Sequence, residues 1–272
     1  MLIYNAVPKA GSLPLMHILH SLVTPNNFTF DMIFHPPDAA YPSAAPLTRL
    51  LTMPLESVFI SHMAFTVNAP RGTTWVQMVR EPIGRMQSMY YYQISNSDDY
   101  TMRHGKANIE KRAADVRCGC AKQSFDACVR VRVARNCSLR VDSQLAYFTE
   151  GGHGGLEEAI ANMRKYYTLV GHVEAFELSV GGFERLIPRF FRGASAMIRN
   201  EPDLLHGHRT DATGDGKSFN TKLCVWDTTR QLLAEHAENY AEERAFHEAA
   251  RQHFSHTLGV AAPSAVACQR QR

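Results

Sequence analysis

The stretch LIYNAVPKAGSLPLMHILHSL, residues 2–22, joins an apolar run to an amphipathic pattern through one short polar turn. The run at 2–7 has the length and composition of a buried β-strand. The spacing of apolar residues over 13–22 predicts a helix, with Ser12 as its N-terminal cap. The chain therefore begins with a strand that turns almost directly into a helix.

The turn itself, Pro8-Lys9-Ala10-Gly11-Ser12, has the properties of an anion-binding loop. A strand-to-helix turn directs backbone N–H groups at one point, where the helix dipole also favours negative charge. Gly11 lets the backbone come close to a ligand, and Lys9 adds a positive charge. The alternative is an ordinary turn whose lysine faces water. The loop is not the P-loop of nucleotide hydrolases, because the lysine precedes the glycine.

The rest of the chain continues the alternation of strands and helices, which predicts an α/β fold with a central parallel sheet flanked by helices. The further predicted strands are 57–64, 73–79 and 167–171, with one short strand within an irregular segment at 24–54. The further predicted helices are 82–95, 156–166, 175–191 and 228–257. Residues 96–140 are predicted to be a loop with short helices, and 207–218 to be irregular.

The chain of 272 residues has room for one large α/β domain, predicted over 1–260, with a frayed tail at 261–272. A net charge of +3 is too small to indicate nucleic-acid binding. Two basic clusters, 103–117 and 130–140, are either solvated faces or anion-facing surfaces. The spacing in Cys118-Gly-Cys120 matches no common metal site, so no metal is predicted.

The sequence contains no apolar run of 18 residues, and its start lacks the basic region and cleavage site of a signal peptide. From these features we expect either a cytosolic protein or a catalytic fragment without its upstream anchor.

A second anion-binding element is predicted in VREPIGRMQSMYYYQ, residues 79–93. Arg80 ends a strand, and Ser88 lies about two turns into the helix that follows. An arginine and a serine placed in this way can both hydrogen-bond to one phosphate group. The alternative for Arg80 is a salt bridge to a carboxylate such as Glu81. The three tyrosines that follow are predicted to serve packing.

The third element is His62, in VFISHMAF. Taken alone, a histidine late in an apolar strand is more often a satisfied buried side chain than a catalyst. Ligands of parallel sheets bind beyond the carboxyl ends of the strands. Because Lys9, His62 and Arg80 all lie near such ends, we expect one crevice to hold all three.

In this order, the three elements resemble those of the sulfotransferases that use 3′-phosphoadenosine 5′-phosphosulfate (PAPS). More narrowly, they resemble the uronosyl 2-O-sulfotransferases, a group acting on heparan sulfate and related glycosaminoglycans. IYNAVPKAGS is similar to that family's 5′-phosphosulfate loop, VREPIGRMQSMYYY to its 3′-phosphate segment, and SHMAF to the context of its catalytic histidine. Three more segments, SFDACV, YTLVGHVEAFE and LIPRFFRGA, follow in family order.

This resemblance implies a single P-loop-like sulfotransferase domain with PAPS as co-substrate and no metal. Lys9 and the loop residues Ala10, Gly11 and Ser12 would hold the 5′-phosphosulfate. Arg80 and Ser88 would hold the 3′-phosphate. His62 would be the general base that accepts the proton of the acceptor's 2-hydroxyl.

Some positions depart from the family pattern. Ala10 replaces a threonine and Leu13 another hydroxyl residue, which removes two expected contacts to the phosphosulfate. Ala6 replaces an arginine. Ile60 replaces a second histidine of the heparan-specific members, a feature closer to the uronyl type.

The resemblance also implies a Cys128–Cys137 disulfide, an anionic polysaccharide acceptor, a homotrimer and anchoring in the Golgi membrane. By charge and location, the candidates for binding the anionic sugar chain are Arg103, Lys106, Lys111 and Arg112. Candidates for closing over the co-substrate are His206, His208 and Arg209. Nucleic acid is not an expected partner.

Two alternative functions remain open at this point. A small-molecule kinase of P-loop type shares the topology, although the chain lacks G-K-[ST] and an evident magnesium-binding aspartate after a strand. A non-catalytic PAPS- or glycan-binding relic is compatible with Ala10 and Leu13.

Overall fold

Five strands form the centre of the computed structural model, which describes residues 1–33, 46–95, 118, 120, 123–201, 225–261 and 263. The strands are β1 Leu2–Tyr4, β2 Thr29–Ile33, β3 Ser57–Ser61, β4 Thr74–Val79 and β5 Tyr167–His172. They make one sheet in the order β2-β3-β1-β4-β5, and every pairing is parallel. The predicted α/β fold with a central parallel sheet is confirmed.

The two faces of this sheet each have a hydrophobic core. In β1, Leu2 and Tyr4 belong to one core and Ile3 to the other, as the alternation of side chains along a strand requires. In β3, Phe59 likewise lies opposite to its neighbours. Because helices cover both faces, the inner strands β1, β3 and β4 are mostly apolar and could be recognised in the sequence.

The helices flank the sheet or extend the domain beside it. They are α1 Ser12–Ser21, α2 Val23–Asn26, α3 Leu47–Thr52, α4 Pro82–Ser95, α5 Phe125–Ala134, α6 Leu156–Tyr166, α7 Phe176–Leu186, α8 Pro188–Phe191, α9 Ala194–Asn200, α10 Asp227–His236 and α11 Tyr240–Leu258. Helices α1, α7 and α9 contribute to the first core, and α6 contributes to the second. A smaller apolar cluster joins α4, α5 and α10.

Two of the predicted helices are each divided in the structure. The segment 175–191 breaks at Ile187, because the following Pro188 disfavours helical backbone at that residue. The segment 228–257 breaks after His236, where Ala237 is extended and forms a bridge with Leu139. Tertiary pairing at this break replaces helical hydrogen bonds that the sequence pattern favours.

The expected Cys128–Cys137 disulfide is wrong. The four cysteines among the described residues pair as Cys118–Cys137 and Cys120–Cys128. Cys128 lies in α5 and Cys137 follows its end, and each is bonded to a cysteine that precedes the helix. The pairs join α5 and the residues after it to the preceding segment.

Other predictions fall outside the described residues, including most of 96–140, the segment 207–218 and nearly all of the tail. Among the residues that are described, no helix is both long and apolar enough to cross a bilayer.

Candidate functional site

Three neighbouring strands bring the predicted site residues to one edge of the sheet. β1 lies between β3 and β4, and all three run in the same direction. Lys9 follows the end of β1, His62 follows β3, and Arg80 follows β4. The structure therefore brings Lys9, His62 and Arg80 to the carboxyl ends of adjacent strands, as the sequence predicted.

The loop between β1 and α1 has an unusual backbone. Lys9 has φ 63 and Gly11 has φ 74, both in the left-handed region. For a lysine this conformation costs about 1–2 kcal/mol, and such strain is characteristic of functional sites. Gly11, not Ser12, is the N-cap of α1, and no side chain caps this end by a hydrogen bond. The predicted Ser12 cap is wrong, because the tight turn already requires a glycine one residue earlier.

The hydroxyl of Ser12 stabilises the loop from within. Its Oγ donates a hydrogen bond to the carbonyl of Val7 at 2.8 Å, and the N–H of Ala10 donates to the same carbonyl at 3.2 Å. Ala10 is fully buried in the second core, whereas Leu13 is 61% exposed. The methyl group of Ala10 thus has a packing role at the position where the resemblance predicts a hydroxyl.

Arg85 holds this loop from the direction of α4. Its guanidinium donates to the Pro8 carbonyl at 3.1 Å and also to the Asp142 carbonyl. The side chain is almost completely buried, and Glu243 supplies a nearby negative charge. Sequence reasoning did not predict Arg85 as a site residue, although it lies within the segment that resembles a 3′-phosphate site. The signal in the sequence was a second arginine one turn after Glu81.

A buried network of side-chain amides at the ends of the strands supports this loop. The Gln77 side-chain amide donates to both the backbone carbonyl and Oδ1 of Asn5, while its Oε1 accepts from the N–H of Val7 at 3.4 Å. Asn5 donates to the Tyr167 hydroxyl at 2.8 Å. Sequence reasoning missed this network because buried amides have no periodic signature.

The charge of Lys9 is held in a partly buried position. Burial, and secondarily the neighbouring Arg80, lower the pKa of Lys9 to about 8. Arg80 approaches the same loop and its Nη1 donates to the Lys9 carbonyl at 3.4 Å. Two positive groups this close together, both partly removed from water, make a site that favours an anion.

Arg80 is fixed by its own backbone and faces acidic neighbours. Gln144 accepts from its N–H at 2.9 Å and donates to its carbonyl at 2.8 Å. Burial lowers the pKa of Arg80, whereas Glu174 and Glu81 act in the opposite direction. The alternative of a simple Arg80–Glu81 pair is not favoured, since the Glu81 carboxylate accepts from the Gly84 N–H at 2.7 Å and pairs with Arg230 at 3.6 Å.

Ser88 lies on the same face of α4 as Gly84, the helix residue that approaches Arg80. A Cβ atom at Gly84 would lie 3.6 Å from the Nε of Arg80, so this face of the helix is directed at the guanidinium. Ser88 is one turn further along the same face and is buried. The geometry is compatible with a ligand that contacts both side chains.

His62 has a defined tautomer. Its Nδ1 lies 2.6 Å from the carbonyl oxygen of Ala6, in the loop that carries Lys9. A carbonyl only accepts hydrogen bonds, so Nδ1 carries the proton and the neutral ring has its lone pair on Nε2. This is the arrangement that a general base requires.

The other candidate residues fall outside the part of the chain that the structure describes. They are Arg103, Lys106, Lys111, Arg112, His206, His208 and Arg209.

Comparison with known proteins gives a consistent picture. Heparan sulfate 2-O-sulfotransferase 1 of Gallus gallus is 25% identical over 272 residues, covering 93% of this chain and 70% of the relative. The Xenopus laevis protein of that name is 24% identical, covering 82% and 65%. The Drosophila melanogaster heparin sulfate O-sulfotransferase is 26% identical, covering 74% and 59%. This chain thus spans about 60–70% of the relatives' length.

No family model matches the chain. The relatives nevertheless agree with one another, and the alignments extend over most of this chain. The protein is a distant homologue of the heparan sulfate 2-O-sulfotransferases.

Proposed function

We propose that the protein transfers a sulfuryl group from PAPS to the 2-hydroxyl of a uronic acid in an anionic polysaccharide. The proposal is carried by one observation: Lys9, His62 and Arg80 follow the carboxyl ends of three adjacent parallel strands. Two of these residues suit the binding of anions and the third suits the removal of a proton. Distant homology to enzymes that sulfate heparan sulfate supports the same reaction.

The residues present fit the two anionic ends of PAPS. The strained loop at Lys9 and Gly11 and the start of α1 would receive the 5′-phosphosulfate. Arg80, with Ser88 on the facing side of α4, would receive the 3′-phosphate. When bound, PAPS supplies the sulfuryl group and the leaving bisphosphate.

In the proposed reaction, the Nε2 atom of His62 accepts the proton of the sugar hydroxyl as its oxygen attacks sulfur. The bond between sulfur and the phosphate oxygen breaks at the same time, and Lys9 offsets the charge that grows on that oxygen. The hydrogen bond from Nδ1 to Ala6 holds the ring in the required tautomer throughout. Positioning and charge stabilisation supply most of the rate in this type of transfer.

A radiochemical assay tests the proposal. The protein is incubated with sulfur-labelled PAPS and with desulfated heparan sulfate or chondroitin, and product disaccharides are mapped for 2-O-sulfation. We expect the wild type to transfer sulfate. His62→Ala should reduce the transfer rate by about 100- to 10,000-fold and leave the binding of adenosine 3′,5′-bisphosphate (PAP) unchanged. Transfer at the wild-type rate in His62→Ala would contradict the assigned base.

Two further outcomes would favour the alternatives. Binding of PAP without transfer to any acceptor would indicate a relic that retains the nucleotide site. Magnesium-dependent consumption of ATP would indicate a kinase of P-loop type. Each outcome overturns the proposed reaction, and the two are distinguished by the nucleotide that the protein uses.

The role of Arg80 is tested with a pair of ligands. Arg80→Met should weaken binding of adenosine 3′,5′-bisphosphate by about 10- to 150-fold, the value of a charge-assisted hydrogen bond. Binding of adenosine 5′-phosphate, which lacks the 3′-phosphate, should change little. Equal weakening of both ligands would show that Arg80 does not recognise the 3′-phosphate.

For the cellular setting, we propose the lumen of the secretory pathway. Two disulfides in a chain of this size are typical of an oxidising compartment. The Golgi location, the membrane anchor and the homotrimer remain predictions from the resemblance. Gel filtration with light scattering tests the trimer directly.

A further inference from the structure

A second cluster of functional groups lies beside the anion site and has no part in the proposed transfer. His172 ends β5, Glu174 lies in the short turn that follows, and His247 projects from α11. One nitrogen or oxygen atom from each of the three side chains lies within 4.8 Å of the other two. His172 is 1% exposed and His247 is 8% exposed. The cluster is therefore in the interior of the domain.

Four polar atoms of this cluster have no hydrogen-bond partner among the described residues. These atoms are both ring nitrogens of His172, the Nε2 of His247 and the Oε2 of Glu174, and all four are buried. Leaving a buried polar atom unsatisfied costs about 1–3 kcal/mol, so native proteins rarely tolerate several together. A ligand that contacts all three side chains would satisfy the cluster in one step.

The carboxylate of Glu174 is already oriented for such a ligand. Its Oε1 accepts a hydrogen bond from the backbone N–H of Glu81 at 2.8 Å, so Oε2 is the oxygen without a partner in the described part of the chain. An outer contact of this kind fixes the orientation of metal ligands in general.

We propose that His172, Glu174 and His247 bind a divalent transition-metal ion, with Zn²⁺ as the ion that this ligand set suits best. Two imidazoles and one carboxylate are a common zinc set, with a fourth position for water. Ligand atoms around tetrahedral zinc lie about 3.4 Å apart, as follows from bonds of about 2.1 Å. A separation of up to 4.8 Å therefore requires only small side-chain rotations for closure.

The surrounding charges allow a cation here. Glu174 is itself acidic, and Glu81 and Glu248 also lie near the cluster, whereas Arg80 and Arg251 oppose a cation. A bound ion would join the end of β5 to α11 and, through Glu174, to the start of α4. We expect this ion to stabilise the fold, and the proposal does not depend on the transfer reaction.

Metal analysis tests the site. Tag-free protein is stripped with chelator, incubated with Zn²⁺, passed through a desalting column and analysed for metal content. We expect about one tightly held equivalent of zinc, and a Zn²⁺-dependent rise in the melting temperature, as for any ligand that binds only the native state. Replacement by Co²⁺ should give the visible absorption bands of tetrahedral cobalt.

Variants assign the bound metal to this cluster. Glu174→Gln keeps an acceptor for the Glu81 N–H, and His247→Phe keeps the ring volume; each should weaken zinc binding by at least about 10-fold. His253→Phe is the matched control, since His253 lies on the same helix and its Nε2 is also buried without a partner. This control should bind zinc as the wild type does. The proposal is overturned if the wild type retains no zinc, or if Glu174→Gln and His247→Phe bind it with unchanged affinity.

Discussion

The Nδ1 atom of His62 and the carbonyl oxygen of Ala6 are separated by 2.6 Å. This contact joins the residue after β3 to the loop after β1, so one hydrogen bond sets both the position of the ring and its tautomer. This hydrogen bond therefore places the proposed base next to the loop that carries Lys9 and that is proposed to bind the phosphosulfate.

We predict that neutral His62 is protonated on Nδ1 and not on Nε2. The reason is that the Ala6 carbonyl can only accept a hydrogen bond. Nitrogen-15 NMR of labelled protein, at a pH where the ring is neutral, distinguishes the two tautomers by the shifts of the two ring nitrogens. An Nε2-protonated ring would contradict the prediction and remove the proposed base from reach of a substrate proton. The His62→Ala variant assigns the signals.

A second prediction concerns Lys9 and pH. Its pKa is lowered from its ordinary value of 10.5 to about 8, mainly by burial and further by Arg80. A bound anion favours the charged lysine, so affinity for adenosine 3′,5′-bisphosphate should fall as the pH rises through about 8, by up to about tenfold per unit. Calorimetric titrations between pH 7 and about 10 measure this dependence.

The matched variant is Lys9→Arg, whose guanidinium stays charged over this range and should flatten the profile. A profile that is equally steep in both proteins would assign the effect to another group.

The stability of the fold should depend on pH in the direction opposite to that of ligand binding. The unfolded chain binds more protons than the native state between the two pKa values, so this lysine makes the native state more stable as the pH rises from about 8 to 10.5.

The features that were predictable from the sequence share one physical cause. In a parallel sheet covered on both faces, the strands are nearly continuous apolar runs, so their carboxyl ends can be located. Lys9, His62 and Arg80 could therefore be assigned to one edge before the fold was known. Their proximity follows from topology alone and requires no knowledge of side-chain packing.

Features that depend on tertiary contacts were not predictable. The six cysteines of the sequence allow fifteen complete pairings, and nothing in their spacing selects Cys118–Cys137 and Cys120–Cys128. The interruption between α10 and α11 arises because Leu139 pairs with Ala237, nearly 100 residues away along the chain. The His172, Glu174 and His247 cluster is also distributed over distant segments, with no local spacing that indicates it.

A third prediction compares two glycines. A Cβ atom at Gly11 would lie 3.2 Å from Cγ2 of Val173, and its φ of 74 is unfavourable for alanine. Gly72 has a similar φ of 76, but a Cβ atom there would have no neighbour within 4 Å, and this glycine precedes β4 at the opposite edge of the sheet. We expect both alanine variants to lose about 1–2 kcal/mol from the backbone conformation.

Only Gly11→Ala should also shift the loop and weaken binding of the bisphosphate, because only this methyl group meets a neighbour. Chemical denaturation and calorimetric titration of both variants separate the two effects. If Gly11→Ala binds as tightly as Gly72→Ala, the loop backbone is not part of the ligand site.

The final prediction concerns Arg85, which contacts the carbonyls of Pro8 and Asp142 and lies near Glu243. Arg85→Met should lower the free energy of unfolding by about 2–6 kcal/mol, because it leaves two backbone carbonyls without their donor and removes the positive charge near Glu243. The control is Arg49→Met, which breaks a surface pair with Asp31 and should cost about 1 kcal/mol or less.

A double variant identifies the cause of this loss. Adding Glu243→Gln to Arg85→Met removes the unpaired charge but does not restore the hydrogen bond to Pro8. We therefore expect urea denaturation to show partial recovery of stability, while affinity for the bisphosphate stays reduced because the loop is no longer held. Full recovery of both properties would show that Arg85 serves only to balance Glu243. Recovery of neither would show that the backbone contacts of Arg85 account for the whole effect.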